Sequence, residues 1–153
     1  RYVWPQDAAP TPAASAGDDP LGDTRRLALI IGAGLDGVLC AAAFARQGVE
    51  YIVFERNAFG FGGVWVTQAN ATSKVQTGKL TYTLDLDDAA PAVADESNFQ
   101  PADEVCTRIT EFALRFGIDR RTYPRREVLS VRPGKTHVEN VVAWRDLSTG
   151  QIR

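Results

Sequence analysis

The stretch Leu27-Ala-Leu-Ile-Ile-Gly32-Ala-Gly34-Leu-Asp-Gly37 constrains this chain more than any other. A short apolar run breaks into a Gly-x-Gly-x-x-Gly turn, and the Ala-rich segment from Val38 to Arg46 reads as a helix. A second apolar run, Tyr51 to Phe54, ends on Glu55. Strand, glycine turn, helix and strand in that order open a dinucleotide-binding βαβ unit. Gly32 permits the tight turn, Gly34 lets backbone N–H groups approach a pyrophosphate, and Gly37 lets the helix lie close to the strand. The helix N-terminus then faces the phosphates with its partial positive charge. Glu55, at the tip of the second strand, is placed to accept hydrogen bonds from the two ribose hydroxyls of an adenosine. The plainer alternative is a glycine-rich turn that merely links strand and helix; the flanking elements and the position of Glu55 argue against it.

Phe54-Glu55-Arg56-Asn57 leads into Gly60-Phe-Gly62-Gly63-Val-Trp65. With the first motif, this closely resembles the flavin-dependent monooxygenases of the flavin-containing and Baeyer–Villiger type. In that family a Phe-Glu-Arg or Phe-Glu-Lys strand end precedes a Gly-Gly-x-Trp turn. Ala69-Asn70-Ala71-Thr72-Ser73-Lys74 resembles the family's Asn-Thr-Ser-Lys segment, which lies near the flavin ring. Asn98-Phe99-Gln100-Pro101 resembles its approach to an amphipathic helix, and Val128 to Val131 its Val-x-x-Val strand. The resemblance runs from residue 27 to 150 and is most specific from 27 to 65. It implies an α/β fold, an incomplete Rossmann-like FAD-binding domain with a small antiparallel β element, over residues 27–153. It also implies FAD as cofactor, with Gly32, Gly34 and Gly37 on the pyrophosphate, Glu55 on the ribose, and Arg56 among the cofactor-binding residues. Gly62, Gly63 and Trp65 then fall on the flavin side; Trp65 is equally readable as a core aromatic.

The departures cluster where the cofactor would lie. Leu35 and Asp36 stand where the family commonly has Pro-Ser or similar small residues. A carboxylate at Asp36, beside a diphosphate, repels by on the order of 1 kcal/mol when solvated. The spacing from Glu55 to Gly62-Gly63 is one residue longer than usual. The family's flavin-side Asn falls on Ala71, with Asn70 displaced by one. A complete member carries a second Gly-x-Gly-x-x-Gly unit for NADPH and a strand that returns into the parallel sheet; neither is found in these 153 residues. By the family's route, this stretch alone cannot accept a hydride from NADPH.

Two functions therefore stand side by side. In one, the chain is the FAD-binding portion of an NADPH-dependent flavin monooxygenase whose NADPH domain lies elsewhere. In the other, which the departures favour, it is a non-catalytic accessory or scaffold subunit of a larger assembly. No catalytic residue is assigned in either.

Residues 1–26 form an Ala/Pro-rich N-terminal tail whose composition suits a flexible leader. If ordered, such a tail must be held by its own domain or by a protein partner, with Tyr2, Val3 and Trp4 as anchors. The chain begins at Arg1 and lacks methionine, as a processed chain or an excised fragment would. With a targeting peptide removed, an organelle such as the plastid is the expected address. Arg25-Arg26 abuts the first strand, so a twin-arginine export signal is not expected. No apolar run reaches the roughly 20 residues of a transmembrane helix.

The net charge is −2 and the basic residues are dispersed, so no nucleic-acid partner is expected. Arg120-Arg121 and Arg125-Arg126 bracket Tyr123-Pro124 as a solvated turn. Cys40 and Cys106 lack metal-ligand spacing and read as two buried free thiols. His137 is the only histidine, and no metal site is assigned. Leu80, Tyr82, Leu84 and Leu86 alternate as in a half-buried strand, followed by an acidic loop over 87–97. Val105, Ile109, Phe112 and Phe116 form one stripe of a helix opened by Pro101 and ended by Gly117. Val138, Val141, Val142 and Trp144 belong to a strand, with 147–152 as its hairpin.

Overall fold

The computed structural model describes residues 28–76, 84, 99–136 and 138–153. The N-terminal tail, the alternating strand around Leu80 (except Leu84, which is buried), the acidic loop and His137 lie outside the described residues.

The chain is α/β. Strand β1 (Ala28–Ile31) leads through the glycine turn into helix α1 (Leu35–Arg46), and strand β2 (Tyr51–Glu55) follows. A short helix α2 (Val64–Thr67) and a long helix α3 (Ala102–Arg115) come next. A single 3-10 turn at Asp119–Arg121 then delivers strand β3 (Thr122–Pro124). Strands β4 (Arg126–Pro133) and β5 (Asn140–Asp146) close the described chain. The first three strands form one sheet in the order β1-β2-β3, with both pairings parallel. β4 and β5 pair antiparallel, with a bulge between Val128 and Ser130.

All five residues of β2 are buried, as expected of a central parallel strand covered on both faces. On one face Tyr51 and Val53 join Ile30, Val38 and Ala41 with Val105, Ile109 and Phe112 of α3. The predicted stripe of α3 is thus core, worth about 1.5–3 kcal/mol for each large apolar side chain buried. Pro101 sits one place ahead of the helix as its N-cap. Gly117, at φ +63°, ends α3 and lets the Ile118 N–H donate back to the Ala113 carbonyl at 2.9 Å. On the other face, Ile52 and Phe54 are covered by Trp144 of β5, with Leu29, Tyr123 and Val128 at the margin.

Three expectations need correcting. Thr122-Tyr123-Pro124 is not a solvated turn but the third strand of the parallel sheet, paired with Val53, Phe54 and Glu55. Proline is tolerated there because β3 is an edge strand. Its flanking arginines are engaged too: Arg121 lies over the Tyr51 ring at 5.2 Å, and Arg126 pairs with Asp146 at 3.0 Å. Val138 precedes β5 and is 89% exposed. Cys40 is exposed on the outer side of α1, whereas Cys106 is buried in α3.

The contrast between the thiols gives a direct check. Burial, and secondarily the Asp103 carboxylate, push the Cys106 thiol up from its usual range, lowering its thiolate fraction. A thiol reagent at neutral pH should modify Cys40 fast and Cys106 slowly, and both at one rate in denaturant. Equal native rates would contradict the packing of α3.

Candidate functional site

The carboxyl ends of β1, β2 and β3 lie on one edge of the sheet, where ligands of open parallel sheets bind. The turn from Gly32 to Gly37 rises from this edge. Gly32 adopts φ +95°, and its N–H donates to the Phe54 carbonyl at 2.7 Å, locking the turn to β2. Gly34 caps α1 without a side-chain hydrogen bond. The N–H groups of Leu35, Asp36 and Gly37 have no intrahelical acceptor, as in any first helical turn, and together with the helix dipole they favour an anion. Asp36 is exposed in that turn, so its charge is screened by solvent.

The second glycine turn is locked onto the first. The Gly62 N–H donates to the Ala33 carbonyl at 3.1 Å. A Cβ built on Gly63 would stand 3.0 Å from the Gly34 Cα, so the two backbones touch. A Cβ on Gly62 would strike Val66 at 2.5 Å and Cys106 Sγ at 3.2 Å, because α2 and α3 close over it. The expected residues Gly32, Gly34, Gly37, Gly62 and Gly63 are therefore brought together, although the two motifs are distant in sequence.

Glu55 reaches the same place from β2. Its side chain is buried, at 6% exposure, and both carboxylate oxygens are engaged. Oε2 accepts the Ala33 N–H at 2.7 Å, and Oε1 accepts the Asn57 N–H at 2.7 Å and Asn57 Nδ2 at 2.8 Å. The acid expected at the adenosine end is thus also a strut of the glycine turn. Arg56 is exposed beside it. Asn57 went unnoticed in sequence. The available signal was an Asn two residues past a strand-end acid, a position from which it can fold back on the local backbone.

Trp65 follows directly on the second glycine turn, its N–H donating to the Gly62 carbonyl at 3.1 Å. It lies on α2, half-buried, and lines a cavity of about 610 Å³ with Phe59, Phe61, Asn70, Cys106 and Thr110. Both readings of this residue describe part of its setting, since it also packs against the core. Asn70 does not turn its oxygen outward: Oδ1 accepts from the Thr72 N–H at 2.9 Å and from the Thr72 and Ser73 hydroxyls. Among the described residues, no group of three or more His, Cys, Asp or Glu is placed to hold a metal ion.

Residues 30–95 match the NAD(P)-binding Rossmann-like domain family. No curated protein sequence matches the chain. Among solved structures, an oxidized steroid monooxygenase bound to NADP shares 18% identity at a TM-score of 0.67, over 83% of this chain and 24% of its own. The S-allyl-L-cysteine S-oxygenase of Allium sativum shares 23% identity at a TM-score of 0.60, over 82% of this chain and 33% of its own. The OTEMO protein, solved with FAD and NADP, shares 18% identity at a TM-score of 0.59, over 76% of this chain and 21% of its own. The chain thus spans between a fifth and a third of the length of these structures. In fold, the chain is a Rossmann-like α/β domain similar to the portion of these structures that it covers.

Proposed function

We propose that this chain binds the dinucleotide FAD, with its pyrophosphate on the glycine cradle and its flavin end toward the cavity beside Trp65. One observation carries the reading. The fold itself explains four of the five cradle glycines, but not Gly34. Gly32, Gly62 and Gly63 adopt positive φ, and a Cβ on Gly37 would lie 2.0 Å from the Gly32 carbonyl oxygen. Gly34 has an ordinary φ of −74°, and a Cβ there would make only an ordinary 3.6 Å contact with the Gly63 Cα. The position that packing leaves free of need for glycine is the one beside the anion-favouring N-terminus of α1. A bound diphosphate supplies the missing reason, since it needs the backbone at close range.

FAD, when bound, would supply redox chemistry at its ring. The residues of this chain would hold and orient it: the cradle by backbone N–H groups, Glu55 and Arg56 at the adenosine end. Oxidation of a substrate would further require NADPH bound outside this stretch.

The test separates binding from folding. Gly34→Ala removes at most about 1 kcal/mol of stability, through the cap, and Gly34→Val adds further bulk within the cradle, beside the N-terminus of α1. Both should stay folded, with flavin affinity reduced in the first and abolished in the second. The readout is FAD released by denaturation, identified by fluorescence and mass, alongside thermal melting. Unchanged FAD content in Gly34→Val would sink the reading.

The scaffold reading keeps one specific support: protein donors already engage both oxygens of the Glu55 carboxylate, so that residue is explained without a ligand. In that case the native chain carries no FAD, and its tail, through Tyr2 and Trp4, holds a protein partner.

A further inference from the structure

Resting on the reading that the glycine turn holds an adenosine diphosphate moiety, we propose that Asn57 is a positioning residue. Among the described residues it fills Glu55 Oε1 and leaves the carboxylate one open acceptor, on Oε2, so that the ribose is read through one of its two hydroxyls.

An ionised carboxylate offers about four lone-pair sites. Two lie on Oε1, and both are taken by Asn57, from its backbone N–H and from Nδ2. One on Oε2 is taken by the Ala33 N–H. The remaining site is on Oε2, the oxygen that faces the glycine turn. The carboxylate cannot swing outward to offer more, because it is buried and would break three short hydrogen bonds to a charged acceptor.

Asn57 is itself fixed from two sides. Its Oδ1 accepts the Phe59 N–H at 2.7 Å, which settles the amide orientation: the reverse would set its oxygen against Glu55 and its NH2 against the Phe59 N–H. Its carbonyl accepts the Arg125 N–H at 3.3 Å. Arg125, at φ +59°, is the only non-glycine residue in the left-handed region among the described residues. Unusual backbone of this kind persists where its surroundings hold it, and here it ties the β3–β4 turn to the residue that orients the acid.

The probes are ADP, 2′-deoxy-ADP and 3′-deoxy-ADP, titrated against the full chain. One deoxy analogue should bind about tenfold or more weakly than ADP, the other within about twofold, since one hydroxyl donates to the charged acceptor. Asn57→Ala keeps the backbone N–H on Oε1 but removes Nδ2, so Oε1 regains one of its two acceptor sites and the two penalties should converge, an effect that a purely structural role would not produce. Equal penalties in the parent chain, or a preference untouched in Asn57→Ala, overturn the proposal while leaving nucleotide binding intact. If ADP fails to bind the parent chain, the nucleotide reading and with it the ribose assignment fall. The positioning role is then decided without ligand, by hydrogen exchange at the Ala33 amide: faster exchange in Asn57→Ala supports it, and unchanged exchange overturns it. Should Asn57→Ala fail to fold, the parent chain's preference between the two analogues still decides the ribose assignment.

Discussion

Gly37→Ala is expected to cost more than about 3 kcal/mol, beyond the usual range for overpacking, and so to remove a large share of the stability of a domain this size. The cause is local and rigid. A Cβ at this position would sit 2.0 Å from the Gly32 carbonyl oxygen and 3.0 Å from its carbon. Both are backbone atoms of a turn that is itself bonded to β2 through the Gly32 N–H. No rotamer can relieve the clash, so α1 must lift from β1 and open the contacts of Val38, Ala41 and Ala42 with the core. Gly48→Ala is the control. That glycine has φ +68° and nothing within 4 Å of an added Cβ, so alanine there costs only the left-handed strain of about 1–2 kcal/mol. Urea denaturation of both variants, compared with the parent chain, decides the matter. A Gly37 variant no worse than the Gly48 variant would show that α1 does not approach β1 as described.

Trp144→Ala should be nearly as damaging, at about 3–5 kcal/mol, the range for truncating a large buried aromatic. Trp144 is the one buried side chain of the β4–β5 pair. Its ring lies 5.2 Å from that of Phe54, and the guanidinium groups of Arg126 and Arg153 stand 5.3 Å and 5.6 Å from its centroid. Removing it uncovers Ile52 and Phe54 and takes away the main attachment of β5 to the parallel sheet. Trp144→Phe keeps an aromatic against Phe54 and should lose less than half as much. Hydrogen exchange along β5 gives the second readout: protection should collapse there before it does in α3. Uniform loss across both elements would mean that the hairpin and the helix are one cooperative unit.

What could be read in advance follows from how local each signal is. The glycine turn, α1 and β2 are legible because their cause is sequential: positive-φ glycine, helical period and an apolar run within a short window. The stripe of α3 is legible for the same reason. β3 is not, because three residues ending in proline are too few for any periodicity and owe their strand state to pairing with Val53, Phe54 and Glu55. The exposure of Cys40 was hidden by an Ala-rich helix with no strong polar face. At the site, the glycines and Glu55 were legible from the motif, whereas their mutual locking was not. Contact between Gly34 and Gly63 needs the fold to bring the two turns together. Asn57 was missed although Glu55 and Phe59 lie two residues away, because only the fold shows that the Glu55 carboxylate is buried against the Ala33 N–H and turned toward it.

The backbone contact between those two glycine turns also bears on how readily the cradle could receive a guest. Its walls are already joined to each other, to β2 through Gly32 and to α3 through Gly62. An incoming diphosphate would therefore find a rigid receptor and would spend little binding free energy on ordering loops. Such preorganisation leaves no conformational step to slow capture, and the ordering cost it avoids would appear as slower release of a bound diphosphate.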